Sequence, residues 1–462
     1  MTARHVAVVG GGLAGIAAAI ELRDAGHQVT LCEARPWLGG ATSSFSRDGL
    51  AVDTGQHVFL RCCTSYRELL ARLGMTGSVT LQDRFDVTVL SPHGRARLRR
   101  SALPPPLHLA GALARYSLLP AADRLRAGRA VAALRTARPG PELDAVRLGD
   151  WLAARSQRPA ARRKLWDLFV VSSLNVPGDE ASTALAATVI KTGLLGARDA
   201  ADIGVAGIPL GELHGQAAQA LLARLGARVR TGTKVSAITP APGGGFTVQA
   251  AGSPLAADGV VLAGPAWAAA RLVPAEAAGG WGALEPAPIV NVHVVYDRRI
   301  TRLPFAAAVD SPVQWVFDKT RPSGLASGQY LAVSLSAADE YAGTPMARLR
   351  EQFLPALEQL FPAARQAQVR DFFVTRERRA TFRQTAGSGA LRPGPATSLR
   401  GLVLAGAWTD TGWPDTMEGA VRSGLNAARQ IMQDLAGRPP ASGAAAGPAR
   451  PGRTARAAGA PA

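Results

Sequence analysis

The stretch VVGGGLAGIAAA, residues 8–19, decides the fold. Val6–Val9 is a short apolar run suited to a buried parallel strand. Gly10, Gly12 and Gly15 follow at G-x-G-x-x-G spacing, and an alanine-rich helical stretch continues to about residue 25. Gly10 permits the tight turn, Gly12 lets backbone amides approach a pyrophosphate, and Gly15 lets helix and strand pack closely. The helix N-terminus adds the positive end of its dipole to the same place. The next strand, HQVTLCE, ends in Glu33, 23 residues after Gly10, where a carboxylate can accept both hydroxyl hydrogens of an adenosine ribose. Strand, glycine turn, helix, strand and acid together predict a dinucleotide site. The alternative is a doubly wound domain without a nucleotide.

Composition sets the surroundings. The chain has 462 residues, 47% hydrophobic and 19% charged, which is enough for two or three globular domains. Its three cysteines, Cys32 and the adjacent Cys62 and Cys63, have no metal-ligand spacing and no disulfide framework, so a cytoplasmic location and no metal are expected. The first residues lead into a core strand, so no signal peptide is expected, and no run of about 18 apolar residues predicts a transmembrane helix. From Gly437 onward, Gly, Pro, Ala, Ser and Arg dominate, and residues 437–462 read as a disordered tail.

The net charge of +18 is uneven. Residues 95–164 hold 15 arginines and Lys164 against Asp123, Glu142, Asp144 and Asp150, a net of +12. In the same stretch leucines alternate with arginines after Pro104–Pro106. A basic, leucine-bearing surface suits peripheral contact with an anionic membrane, at the inner face for a cytoplasmic protein. No recognised module accompanies the charge, so nucleic acid is not the expected partner. An arginine-rich solvated face over ordinary core leucines is the competing reading.

The residues after Glu33 choose the dinucleotide. EARPWLGGATSSF places Gly39 and Gly40 six residues beyond the acid, followed by Thr42, Ser43 and Ser44. A second glycine pair lets another loop lie against the phosphates and ribityl chain of FAD, a loop that NAD domains seldom need. LAVDTG then reads as a strand returning the chain to the cofactor. Residues 401–432 supply a strand, GLVLAG, a polar loop and an amphipathic helix beginning at Met417-Glu418-Gly419. Its N-terminal amides would face the pyrimidine edge of the flavin, where reduced flavin carries negative charge. Residues 226–273 read as a strand, a hairpin about Gly243–Gly245 and a further strand, with Val235 beside the adenine.

At this point the chain resembles the flavin amine oxidase and carotenoid desaturase superfamily. More narrowly it is similar to the squalene-associated desaturase-like proteins, a family whose activity is dehydroxylation of hydroxysqualene. The narrower likeness rests on DTGQHVFLRCCTSYRELLARLG (53–74), LWDLFVVSSLNVPGDEAS (165–182), GIPLGEL (207–213) and LAGAWTDTGWPDTMEGAVRSG (404–424), within a resemblance covering residues 4–435. Two positions depart from the superfamily. Ala41 stands where arginine is frequent and Ala407 where an acid is frequent, so Asp410 is the candidate for the missing contact. The lysine that many amine oxidases hold over the flavin is not identifiable.

The resemblance implies an α/β flavoprotein of two domains. A discontinuous Rossmann-like FAD domain is expected from 1–78, 205–272 and 396–436. A substrate and membrane-facing domain is expected from 79–204, mostly helical, and 273–395, with antiparallel strands at APIVNVHVVYD and QYLAVSLS. FAD contacts are expected at Gly10, Gly12, Leu13, Ala14, Gly15, Glu33, Ala34, Gly39, Gly40, Ala41, Thr42, Val235, Gly406, Asp410 and Met417. The implied substrate is a C30 isoprenoid exchanging hydride with the flavin, with His57 ranked first as proton donor and Asp410 as a second catalytic candidate. Asp415 is a further loop acid, and Trp315, Trp408 and Trp413 are candidates for tunnel walls. Carotenoid desaturation runs hydride the other way, and an amine oxidase or a lipid-carrying flavoprotein without catalysis are weaker alternatives.

Overall fold

The structure is a computed structural model describing residues 3–436, so the tail expected to be disordered lies outside the described residues. Its centre is a five-stranded parallel sheet in the order Arg228–Arg230, Gln28–Cys32, His5–Val9, Gly259–Leu262 and Leu402–Leu404. Strands so far apart in sequence meet because four of the five are short, largely apolar runs that must be covered on both faces, with the polar Arg228–Arg230 at the edge. Along the first strand, Val6 and Val8 enter a helix-packed core, whereas Ala7 and Val9 enter a second core on the opposite face. The helical layer is the first helix, Leu13–Asp24, packed on the last described helix, Met417–Leu435. Their axes come so close at Gly424 that a Cβ there would lie 2.1 Å from the Ala14 carbonyl oxygen. The opposite layer is a small antiparallel sheet, Val235–Pro240, Phe246–Ala250 and Leu255–Ala257, with the hairpin at residues 241–245.

A seven-stranded sheet forms the second unit of architecture. Its order is Val369–Phe382, Pro286–Tyr296, Gln329–Leu335, Trp315–Asp318, Phe305–Ala308, Asp86–Ser91 and Gly94–Arg99. The two strands expected from sequence are direct antiparallel neighbours, with Val292 opposite Val333 and Val294 opposite Leu331. The helix Met346–Leu360 covers one face with Leu349, Phe353, Leu357 and Leu360. Short helices between residues 107 and 195 form a separate core against the other end of the sheet. Residues 79–204 are therefore not helical throughout. Asp86–Ser91 and Gly94–Arg99 form a hairpin that completes this sheet, its turn closed by Gly94 at φ +147°.

The leucine-bearing basic surface is narrower than its sequence implies. The helix Ala121–Thr136 buries Asp123, Ala127, Ala130 and Leu134 and exposes Leu125, Arg129 and Arg135. Leu119 is buried, and Leu109, Leu113 and Leu118 pack against the helical core. The exposed leucines of the stretch are Leu103, Leu107 and Leu125. Most of the others turn inward, because helices this short can cover the sheet only with that stripe.

Candidate active site

The first glycine loop is shaped by two contacts. Gly10 has φ +114°, and a Cβ there would sit 2.6 Å from the Ala263 carbonyl oxygen. At Gly15 a Cβ would meet the Gly10 carbonyl oxygen at 1.9 Å, so the helix can begin against the strand only without a side chain. Gly12 is different. Its backbone is extended (φ −75°, ψ −179°), and the nearest protein atom to a Cβ is 3.9 Å away. The protein itself leaves that space open, at the N-terminus of the first helix, where Leu13 and Ala14 are buried.

The second glycine segment lies directly on the first. Gly39 N–H donates to the Gly11 carbonyl at 2.8 Å, and Gly12 and Gly39 form a parallel bridge. Thr42 Oγ1 donates to the Gly39 carbonyl, while the buried Ser43 Oγ has no hydrogen-bond partner among the described residues. An open cradle beside an unpartnered hydroxyl fits the phosphates and polyol of a dinucleotide. Glu33 stands beside the first loop: its carboxylate accepts the Gly11 N–H at 2.6 Å and the Arg35 N–H at 2.8 Å. A carboxylate has about four acceptor directions, so the ribose hydroxyls can share it. Ala34 and Ala41 are exposed beside this loop, and Val235 is buried at the head of the small sheet.

Asp53 ties the second glycine segment to the seven-stranded sheet, a junction sequence reading missed. It ends the strand Leu50–Asp53 and is buried, accepting the Ser44 hydroxyl at 2.6 Å and the Leu210 N–H at 2.9 Å. Lys319, from the end of a strand in the seven-stranded sheet, pairs with it at 2.7 Å. Thr54 next to it donates to the Ser43 carbonyl through its N–H and to the Ala41 carbonyl through its hydroxyl. His57 follows, half-buried, with Nδ1 3.2 Å from the Gly55 carbonyl oxygen. Burial lowers its pKa, against the opposing pulls of the Gly55 carbonyl and the Asp53 carboxylate.

Two more imidazoles are shifted in the same direction by burial. Burial takes His214 down to about 4 and His293 to about 3. His214 Nε2 is 2.8 Å from the Tyr66 hydroxyl; His293 bridges the Tyr330 and Thr375 hydroxyls at 2.8 and 3.0 Å.

The C-terminal segment supplies the remaining wall. Gly406 is buried and donates its N–H to the Ser423 hydroxyl. Trp408 donates to the Gly264 carbonyl at 3.0 Å and packs on Trp281 in the core beneath the small sheet. Trp315 stacks on Phe317 and packs against the helical core, and Trp413 lies under the Arg422 guanidinium. Asp410 is exposed, and its carboxylate accepts the Gly412 N–H within a turn. Arg392, buried, donates to the Ala407 and Thr409 carbonyls and so fixes the loop where the superfamily's acid is absent. Thr416 caps the last helix by accepting the Gly419 N–H, which leaves the N–H groups of Met417 and Glu418 without an acceptor among the described residues. The buried Glu418 side chain turns away, onto the backbone N–H groups of Ser65 and Tyr66. Asn175, in the subfamily's LN-P segment, adopts φ +52° and bonds Ala287, Thr381 and Ala337, pinning the helical layer to the sheet.

A parallel dinucleotide sheet, two apposed glycine loops and a helix N-terminus closing the chamber define an FAD-dependent oxidoreductase. The chain belongs to the flavin-containing amine oxidoreductase family, whose model matches residues 13–432. It is 32% identical over 439 residues to hydroxysqualene dehydroxylase of Rhodopseudomonas palustris, covering 93% of this chain and 98% of that one. It is 25% identical over 492 residues to zeta-carotene desaturase of Synechocystis, covering 94% and 98%. Among solved structures, putrescine oxidase matches with a TM-score of 0.71 at 20% identity over 94% of this chain and 99% of that chain, a likeness of fold. No described helix is long and apolar enough to cross a membrane.

Proposed function

We propose that the protein reduces hydroxysqualene to squalene. The observation that carries this is the end-to-end likeness to a hydroxysqualene dehydroxylase, which leaves no part of either chain unmatched beyond short margins. Reduced FAD supplies the hydride. The chain's own residues do the rest. Gly10, Gly12, Leu13, Ala14 and Gly15 cradle the pyrophosphate, Glu33 and Ala34 the adenosine ribose, and Gly39, Gly40, Ala41 and Thr42 the far side of the phosphates. Val235 borders the adenine, Gly406 and Asp410 the ribityl side, and Met417 the pyrimidine edge through its free N–H. His57 is the first candidate for the proton donor to the departing hydroxyl, and Asp410 the second. In this reading the cofactor part comprises 1–78, 205–272 and 396–436, in keeping with the parallel sheet, and 79–204 with 273–395 forms the substrate part.

A substrate this apolar resides in a bilayer, and we place the cytoplasmic protein on its inner face through exposed Leu103, Leu107 and Leu125. Arg129 and Arg135, which make no ion pair among the described residues, are exposed on the same helix as Leu125. Carotenoid desaturation is the second reading, carried by the likeness to zeta-carotene desaturases. Incubation of the enzyme and a flavin reductant with hydroxysqualene, followed by mass spectrometry of the lipids, separates them. Squalene is the expected product, and unchanged alcohol beside a desaturated polyene supports the second reading.

A further inference from the structure

We propose that Cys62 and Cys63 form a dithiol site for thiophilic trivalent arsenicals, the two sulfurs closing a ring on one arsenic atom. The proposal rests on one turn of the chain and on no step of the dehydroxylase reading. The two cysteines lie between the short strand Val58–Leu60 and the helix Thr64–Arg72. Their backbone is pinned from both sides. Cys62 N–H donates to the Ala200 carbonyl at 3.1 Å and Cys63 N–H to the Leu60 carbonyl at 2.9 Å. Thr64 N–H returns to the Cys62 carbonyl at 2.9 Å, with Cys63 at φ −76° and ψ 71°, which is an inverse γ-turn. Both side chains are half-buried, and their sulfurs hydrogen-bond to each other. The turn therefore presents two thiols side by side in a fixed arrangement, and a chelating ligand gains from that preorganisation. The third cysteine, Cys32, is buried at the end of a strand in the parallel sheet.

The number of sulfurs selects the ligand. Structural zinc takes four protein ligands, whereas this turn offers two. Among the described residues no group of three His, Cys, Asp or Glu side chains is placed to hold a metal ion. Trivalent arsenic that already carries one carbon substituent needs two sulfurs and nothing more. A disulfide between these neighbours is disfavoured by distance, since consecutive Cα atoms are about 3.8 Å apart and disulfides span roughly 4.4–6.8 Å. An arsenic atom between the sulfurs widens the ring and relieves that constraint.

The two thiols also divide the work. The hydrogen bond from Cys63 holds the Cys62 thiol below its ordinary range, against burial and the Glu418 carboxylate, with Arg422 pulling the same way as the bond. The same bond and burial push the Cys63 thiol well above its range. Cys62 is thus the attacking thiolate and Cys63 closes the ring. With an arsenoxide the step balances: the arsenic–oxygen double bond breaks, two sulfur–arsenic bonds form, and both thiol protons leave on the oxygen as water. Arsenic stays trivalent and nothing is oxidised.

The test treats reduced, FAD-loaded enzyme with phenylarsine oxide and follows intact mass and free thiols. A single adduct per chain is expected, with two thiols consumed and the adduct mapping to the peptide that holds Cys62 and Cys63. It should survive excess 2-mercaptoethanol and be removed by 2,3-dimercaptopropanol. Cys62→Ser and Cys63→Ser, with folding checked by retained flavin absorbance, should each lower retention by about 10²- to 10⁴-fold, the scale lost when the second bond is no longer made within one chain. Cys32→Ser should bind as the wild type does. An adduct that a monothiol strips from the wild type, that survives in Cys63→Ser, or that never forms overturns the proposal. The monothiol challenge and the mapping need no variant, so a serine chain that fails to fold leaves the test decisive.

Discussion

The Glu418 carboxylate accepts the Tyr66 backbone N–H at 2.8 Å, joining residues 352 apart in the chain. With the Ser65 N–H and the Arg422 guanidinium it forms a buried cap on the N-terminus of the helix Thr64–Arg72. The last helix is thus locked to the segment that carries His57. Glu418→Ala should lower stability by about 2–3 kcal/mol, the scale of buried charge-assisted hydrogen bonds. Thermal unfolding followed by release of flavin fluorescence measures this, and an unchanged midpoint would show the cap to be dispensable.

Gly12 and Gly15 should separate cofactor binding from folding. A side chain at Gly12 enters space the protein leaves empty, on backbone that any residue adopts. Gly12→Val should therefore yield folded protein that no longer retains FAD. Gly15→Val should fail to give soluble protein, because its Cβ collides with the Gly10 carbonyl. Circular dichroism and the flavin absorbance of purified material distinguish the two; a yellow Gly12→Val protein would contradict the cradle.

Burial, helped by the nearby Asp179 carboxylate, raises the Asp167 carboxyl to about 7. With the folded pKa above the unfolded value, folding takes up a proton between these two points, so stability falls as pH rises from about 4 to about 7. Asp167→Asn mimics the protonated form. It should be neutral at acid pH and stabilise the protein by about 1–2 kcal/mol above pH 7, after allowance for solvent screening. Denaturant midpoints at the two extremes test this, and a variant less stable at high pH would reverse the sign.

The basic face should bind vesicles containing anionic lipid and release them as salt rises, since screening acts over about 10 Å at 0.1 M. Replacing Arg129 or Arg135 with Ser should weaken binding by about 1 kcal/mol each, close to fivefold. Leu107→Ser should weaken it with less dependence on salt. Equal binding to neutral vesicles would remove the electrostatic contribution.

What the sequence shows of this fold follows from how local each signal is. Most of the parallel strands are legible because they are apolar runs beside their own turn residues, as in Val6–Val9 before Gly10 or Leu402–Leu404 before Gly406. The last helix is legible from its start at Met417. The hairpin at 86–99 is hidden because Arg95, Arg97, Arg99 and Arg100 read as part of a basic helical stretch, whereas alternation puts Ala96 and Leu98 inward and the charges outward. Asp53, Glu418 and Arg392 are hidden for another reason. Their partners at Lys319, Tyr66 and Thr409 become neighbours only through tertiary packing, and no spacing rule connects them. The direction in which leucines face on a helix is likewise decided by what the helix covers, which is why Leu134 is buried and Leu125 is not.

The direction of hydride transfer is the claim on which the account turns, and one anaerobic mixing experiment addresses it. Enzyme whose FAD has been chemically reduced is combined with one equivalent of hydroxysqualene, and the absorbance of the oxidised flavin is followed while lipids are extracted. The account predicts stoichiometric return of the oxidised spectrum with an equal yield of squalene, and no bleaching of oxidised enzyme by a carotenoid polyene. Bleaching by the polyene, with reduced enzyme indifferent to the alcohol, would contradict it.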